Sequence, residues 1–203
     1  MKLLLATNNA HKVREIRAIL GDSFSEVSTL KEAGVSFEAV EDGATFEENA
    51  LKKARQTLDF VGDRFDAALA DDSGLCVDAL GGAPGVFSAR YAGVEHNDAA
   101  NNALLMRKLD GVPAERRTAR FVCCIALVRR GMPDLCVRGT VEGTILFEAH
   151  GQNGFGYDPY FWYAPLKKSF AELSADEKNA VSHRHNALAL LKEALDGENR
   201  RLF

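Results

Sequence analysis

The chain is poor in the features that mark secreted, membrane-bound or nucleic-acid-coating proteins. Cysteine is scarce: Cys76, Cys123, Cys124 and Cys136 are the four thiols in 203 residues, and no two form C-x-x-C. Two are adjacent inside an apolar run, so they read as small buried hydrophobes in a reducing cytoplasm, not as a disulfide frame or a zinc site. No stretch approaches the roughly 20 apolar residues that a membrane span needs. The opening run Leu3-Leu4-Leu5-Ala6 is too short for a secretory leader. Basic excess is missing as well: 25 Lys plus Arg face 29 Asp plus Glu, a net charge of −4. Binding to duplex nucleic acid draws on a basic face that releases counterions, so this balance argues against it. One small basic pocket for a small anion remains compatible. No internal repeat, low-complexity tract or linker breaks the chain.

What is present is an ordinary globular composition, 46% apolar and 27% charged, in a length suited to a single domain over residues 1–203. Leu3 to Ala6 reads as a buried strand. Val13, Ile16, Ile19 and Leu20 recur at helical spacing after Asn9, a plausible N-cap. Thr45-Phe46-Glu47-Glu48 has the form of a capping box and opens a helix to about Val61. Its stripe is Leu51, Ala54, Leu58 and Val61, with Asn49 and Lys53 expected on the opposite side. Ala67–Asp72 and Leu75–Ala79 are expected as two strands broken by Ser73-Gly74. Asn97–Leu109 follows as a helix, Arg120–Arg129 as a long apolar strand, and Asp134–Ala149 as one or two more strands. A last helix opens at Ser182 or His183, with Leu188, Leu191 and Leu195 on its stripe. Helices mixed with consecutive strands indicate an α/β fold with a mixed sheet.

Five segments could carry chemistry, one of them Gly81–Tyr91, a structured loop whose Arg90 could reach a phosphate or a partner subunit or simply serve the loop's own structure. Thr7-Asn8-Asn9-Ala10-His11-Lys12 lies at a strand-to-helix junction, where free N–H groups and the helix dipole favour an anion. An ordinary N-cap followed by a solvated lysine would read the same way. Asp71-Asp72 leaves an apolar strand, where carboxylates are expensive unless hydrated, paired or metal-bound. Successive strand residues face opposite ways, so one of the pair enters a given site. Oxygen ligands without nearby His or Cys suit Mg²⁺. A turn closed by an Asp side chain is the alternative, and Glu41 is a candidate second carboxylate. Gly151–Pro159 is a glycine-rich loop in which Phe155 could stack on a flat ring and Asp158 could accept from a ring N–H. Lys178, His183 and Arg184 gather donors before and inside a helix start, against the dipole. Each could equally be a packed or solvated surface feature. Together they suit a Mg²⁺–nucleoside triphosphate.

Thr7-x-Asn9-x-x-Lys12, Phe46-x-Glu48-Asn49-Ala50, Asp71-Asp72-Ser73-Gly74-Leu75, Gly82-Ala83-Pro84-Gly85 with Ser88-Ala89-Arg90-Tyr91, Gly154-Phe155-Gly156-Tyr157-Asp158-Pro159 and Ser182-His183-Arg184 follow one another in order. This set resembles the inosine triphosphate pyrophosphatase family, whose bacterial branch acts on dITP and XTP. The resemblance implies an elongated mixed sheet flanked by helices, with two lobes around a central substrate cleft. It implies Mg²⁺-dependent hydrolysis of ITP, dITP and XTP to monophosphate and diphosphate by a cytoplasmic homodimer that cleanses the nucleotide pool. By motif, Asp72 would be general base and metal-linked carboxylate, and Glu41 a Mg²⁺ ligand. Thr7, Asn8, Asn9, Ala10, His11, Lys12 and Lys53 would hold the triphosphate, and Ser73 would touch substrate. Phe155, Gly156, Tyr157, Asp158, Lys178, His183 and Arg184 would hold the base. A nucleotide sensor using the same residues without turnover is the competing reading, separated by an assay for released pyrophosphate.

Overall fold

The computed structural model describes residues 1–95 and 97–200, apart from the side chains of His11, Asn199 and Arg200. Seven strands form one mixed sheet: β1 (Lys2–Leu5), β2 (Glu26–Thr29), β3 (Ala67–Val77), β4 (Thr118–Arg129), β5 (Leu135–Ile145), β6 (Phe161–Tyr163) and β7 (Lys168–Ser169), in the order β2-β1-β3-β4-β5-β6-β7. β1 runs parallel to both β2 and β3, whereas β5-β6 and β6-β7 are antiparallel. Five helices accompany it among the described residues: α1 (Ala10–Leu20), α2 (Phe46–Val61), α3 (Asp98–Lys108), α4 (Ala175–Val181) and α5 (His183–Arg200).

The expected α/β class with a mixed sheet is what the chain forms. β3 departs from expectation: it runs unbroken through Ser73-Gly74. A glycine inside a strand weakens it, but here the pleat continues and no turn forms. Asp134–Ala149 contains a single strand, β5. The short β6 and β7 and the separate helix α4 were not anticipated, although Ser174-x-x-Glu177 closes a complete capping box on α4.

The chain divides into two compact units. Unit 1 comprises Met1–Asp72, Cys123–Gly139 and Arg184–Phe203, and unit 2 comprises Ser73–Val122 and Thr140–His183. In unit 1, Val13, Ile16 and Leu20 of α1 and Leu188, Leu191 and Leu195 of α5 pack with Leu3, Leu5, Leu69, Cys123, Ile125 and Leu127. Those strand residues are all odd-numbered. Side chains alternate faces along a strand, so α1 and α5 cover one face of this part of the sheet. The other face meets α2, whose Glu47 interacts with even-numbered Cys124. In unit 2, Leu105 and Leu109 pack with Leu75, Phe121, Phe161 and Phe170.

All four cysteines are free; Cys123 and Cys124 are buried, but Cys136 is exposed on β5. On α2 the buried stripe is Phe46, Asn49, Ala50, Ala54, Thr57, Leu58 and Val61. Asn49 therefore belongs to the inward face, contrary to expectation, because a carboxylate awaits it there.

Candidate active site

In unit 1 the site begins with the alternation along β3. Asp71 has the parity of Leu69 and faces α1 and α5; Asp72 faces α2. The Lys12 ammonium donates to Asp71 Oδ1 at 2.9 Å. Arg184, in the first turn of α5, donates from Nε and Nη2 to Asp71 Oδ2 at 3.3 and 3.4 Å, and from Nη1 to Glu15 at 3.4 Å. Asp71 is almost fully buried. Burial pushes its carboxyl up, but Lys12 and Arg184 outweigh burial and hold it well below the usual carboxylate range. Arg184 gains the reciprocal shift: burial disfavours its charge, Asp71 and Glu15 restore it, and its pKa ends above the ordinary value.

The opposite face carries Asp72, whose Oδ2 accepts from the Asn49 amide at 2.9 Å. One helical turn along α2, Lys53 is bonded to Glu41. Burial pulls the Lys53 pKa down, yet Glu41, Asp71 and Asp72 together raise it. Lys53 thus ties the two expected metal ligands, Glu41 and Asp72, into one charge field.

The start of α1 is organised by its own side chains. Asn9 Oδ1 accepts from the Lys12 backbone N–H at 3.2 Å, the expected N-cap, and Thr7 Oγ1 accepts from the Asn9 N–H. Asn8 instead accepts from the Lys31 N–H at 2.9 Å. Ala10 opens the helix. The side chain of His11 lies outside the described residues. Thr45 caps α2 by accepting from the Glu48 N–H, but the Glu48 carboxylate turns back to Ala44 rather than to Thr45.

Unit 2 assembles a second cluster. Asp158 is buried, and its Oδ2 accepts from Lys178 Nζ at 2.5 Å and from the Phe155 N–H at 2.9 Å. Burial drives the Asp158 pKa upward, Lys178 pulls against it, and Asp98 adds to the push; the balance stays raised. Lys178 Nζ lies 4.6 Å from the centroid of the Phe155 ring, and that residue is 57% exposed. The turn needs its glycines: a Cβ on Gly154, at φ +78°, would stand 2.1 Å from Asp158 Oδ2. Tyr157 donates to the Ser88 carbonyl at 2.8 Å, and its burial raises its pKa. His183 is buried and stacks on Phe121 at 5.2 Å. Ser73, the first residue of unit 2, is half-buried on β3.

The structure thus gathers Lys12, Lys53, Glu41, Asp72 and Arg184 within unit 1, and Phe155, Gly156, Tyr157, Asp158 and Lys178 within unit 2. Lys178 stands in the last turn of α4, where a cation favours the dipole, and not ahead of a helix start as expected. Sequence reasoning missed Glu15, which follows Lys12 by one helical turn. It also passed over Asp98, an acidic residue in the first turn of α3. The i, i+3 spacing and the first-turn position were the available signals.

Among the described residues, no group of three His, Cys, Asp or Glu stands together as a ready metal cage. Mg²⁺ does not need one; it commonly takes one or two carboxylates and completes its shell with water and substrate phosphate. Glu41 and Asp72, hard oxygen donors beside Lys53, fit that donor set. No described helix is long and apolar enough to cross a membrane.

Comparison with known proteins matches this arrangement to a family. The dITP/XTP pyrophosphatase of Exiguobacterium sibiricum is 52% identical over 195 residues, covering 96% of this chain and 97% of that one. The dITP/XTP pyrophosphatase of Clostridium perfringens is 47% identical over 199 residues, covering 97% and 98%. Among solved structures, the Ham1 protein of Staphylococcus aureus superposes with a TM-score of 0.89 at 40% identity, covering 98% of this chain and 100% of that one. The nucleoside-triphosphatase / dITP/XTP pyrophosphatase of Mycobacterium abscessus gives 0.78 at 45% identity, covering 94% and 98%. A model of the Ham1 family matches residues 3–194. The resemblance carried by the ordered motifs is borne out: this chain belongs to the Ham1 family.

Proposed function

We propose that this protein is a dITP/XTP pyrophosphatase. It hydrolyses non-canonical purine nucleoside triphosphates to the monophosphate and pyrophosphate. The carrying observation is the placement of Asp72 on β3, bonded to Asn49 and within the field of the Lys53–Glu41 pair. The near full-length identity to enzymes of that name supports the same reading.

In this reading water attacks the α-phosphorus and gives up a proton by way of Asp72, the bond from that phosphorus to the bridging oxygen breaks, and pyrophosphate departs with the oxygen. The attacking water needs orientation more than a strong base, because a loose transition state forms little bond to the nucleophile early. Asp72 orients it, and the Asn49 amide, which donates to Asp72 Oδ2, holds the carboxylate in place. Charge on the leaving pyrophosphate is the main electrostatic load. Lys12 and Lys53 meet it, together with donors at the start of α1 from Thr7 to Lys12. Magnesium held by Glu41 and Asp72 would supply further charge neutralisation when bound. Ser73, next to Asp72, would contact substrate.

Unit 2 would read the base. Phe155 offers an exposed ring for stacking. Lys178 has three N–H donors, and Asp158 engages one, leaving donors for an acceptor at the purine 6-position. Hypoxanthine and xanthine carry an oxygen there; adenine carries an amino donor, which leaves Lys178 facing another donor. A mismatch of this kind discriminates by about 10⁴–10⁵. Arg184 has five N–H groups, and three go to Asp71 and Glu15, so any base contact uses the other two. Gly156, Tyr157, Asp158 and His183 complete this group. We further propose a cytoplasmic homodimer. Four free thiols suit a reducing compartment, and the exposed apolar side chains of Phe87 and Val94 suit pairing.

Product identification with ITP and Mg²⁺ tests the reaction. IMP plus pyrophosphate is expected; inosine diphosphate plus orthophosphate would place attack at the γ-phosphorus and overturn the proposal. Asp72→Asn should lower kcat by roughly 10²–10³, and near-wild-type turnover would remove Asp72 from its role.

A further inference from the structure

The loop that carries Phe155 is held from outside by two residues of α3. Asp98 opens this helix behind the N-cap Asn97, and Asn102 follows four residues later, so both lie on one helical face. The Gly156 N–H donates to Asp98 Oδ2 at 2.6 Å, and Asn102 Nδ2 donates to the Gly156 carbonyl at 2.8 Å. Both backbone polar groups of one glycine are therefore taken by one helix face. The preceding N–H, of Phe155, is taken by Asp158. The two N–H groups that bracket the Phe155 ring are thus committed to carboxylates, and the ring itself is what this segment leaves exposed.

The Asn102 bond has a fixed sense. Its Oδ1 is buried, and no described protein group donates to it. Turning the amide over would set that oxygen against the Gly156 carbonyl, two acceptors face to face. The observed orientation keeps the donor on the loop. Gly156 has φ +60°, a left-handed conformation that a glycine tolerates but does not choose uniquely. Bonds to both its N–H and its carbonyl select this conformation from those open to glycine. That choice sets the direction in which the chain leaves Phe155.

We propose that Asp98 and Asn102 are positioning residues that fix the Phe155–Gly156 turn and thereby set base affinity and base selectivity. This rests on the pyrophosphatase reading above. Neither side chain need touch substrate. Loosening the clamp lets the ring sample orientations in which it no longer stacks, so binding weakens while the phosphate chemistry carried by Asp72 is left alone.

The test is steady-state pyrophosphate release from ITP and from ATP by the wild type, Asp98→Ala, Asp98→Asn and Asn102→Asp. Asp98→Ala removes the acceptor, Asp98→Asn keeps one, and Asn102→Asp places an acceptor against the Gly156 carbonyl. We expect Asp98→Ala and Asn102→Asp to raise KM for ITP about tenfold, the equivalent of one lost hydrogen bond, with kcat within about twofold of wild type. Their preference for ITP over ATP in kcat/KM should fall, and Asp98→Asn should recover most of both properties. Asp98 is exposed, so its variants test the clamp even if Asn102→Asp folds poorly. A general structural defect would lower the active fraction, and so apparent kcat, with KM unmoved; that pattern overturns the inference. Unchanged KM and selectivity in Asp98→Ala also overturn it, as does Asp98→Asn behaving like Asp98→Ala. Absence of pyrophosphate from the wild type would sink the functional reading itself and is seen before any variant is compared.

Discussion

Asp71 in unit 1 and Asp158 in unit 2 are both buried aspartates bonded to a lysine, yet their protons are held in opposite ways. Asp71 meets Lys12 and Arg184, and its pKa falls well below the ordinary range. Among the described residues Asp158 is bonded to one cation, Lys178, and feels Asp98 as well, and its pKa rises. Burial acts upward on both. At Asp158 the single lysine, set against Asp98, leaves the effect of burial in command; at Asp71 Lys12 and Arg184, with Lys53 adding to them, reverse it. The first aspartate is a fixed anion that holds two cations in place. The second is a group whose charge is contested.

The sharpest way to break this contrast is to remove each charge. Asp71→Asn leaves the buried Arg184 paired with Glu15 alone among the described residues and should destabilise the protein by about 3 kcal/mol, the low end of what breaking a buried pair costs. Asp158→Asn removes a charge that its surroundings disfavour and should cost less than half as much. Urea unfolding of both variants gives the comparison, and equal losses would erase it.

The pH dependence should differ in sign. A lowered carboxyl pKa adds stability that is complete above the unfolded value of about 3.9 and is lost as pH falls through the native value. Asp71→Asn should therefore flatten the acid limb below pH ~4. A raised pKa does the reverse. The unfolded chain releases the proton first, so stability declines as pH climbs from about 3.9 through the raised native value. Relative to the wild type, Asp158→Asn should gain stability over that climb. Unfolding free energies measured from pH ~2 to ~7 would show two difference curves of opposite slope.

The smallest expected effect concerns the partners. Lys12→Met leaves Asp71 with Arg184 and the field of Lys53, while Lys178→Met removes the one cation bonded to Asp158 among the described residues. Lys178→Met should be the more destabilising by about 1 kcal/mol, readable as a larger fall in the urea midpoint.

Much of this was legible in the residues. The periodicity of Val13, Ile16 and Leu20, the Thr45 cap and the apolar run of β4 follow from local rules, and the structure keeps them. Alternation along β3 already required Asp71 and Asp72 to face different ways. Which one is buried depended on Lys12 and on Arg184, the latter 113 positions away, and no local pattern encodes such a pairing. The same distance hid the role of Arg184, which reads as a helix-start donor and is largely engaged by carboxylates. Asn49 looked like a solvent-side residue because helical spacing marks faces by polarity; a polar partner beneath the helix reverses that inference. β6 and β7, three and two residues long, are too short for alternation to emerge.

The uninterrupted course of β3 has a consequence for how the family's sequences can vary. Neighbouring aspartates on one strand serve opposite faces, one locked between cations and one presented beside Asn49. Sliding the strand by a single position, so that Asp72 takes the place of Asp71, would bury the second carboxylate where the first belongs and set Ser73 on the Asn49 side. Ion pairing thus polices alignment here as firmly as greasy packing does elsewhere. An insertion or deletion in this stretch should disturb both carboxylates at once, where a single substitution touches one.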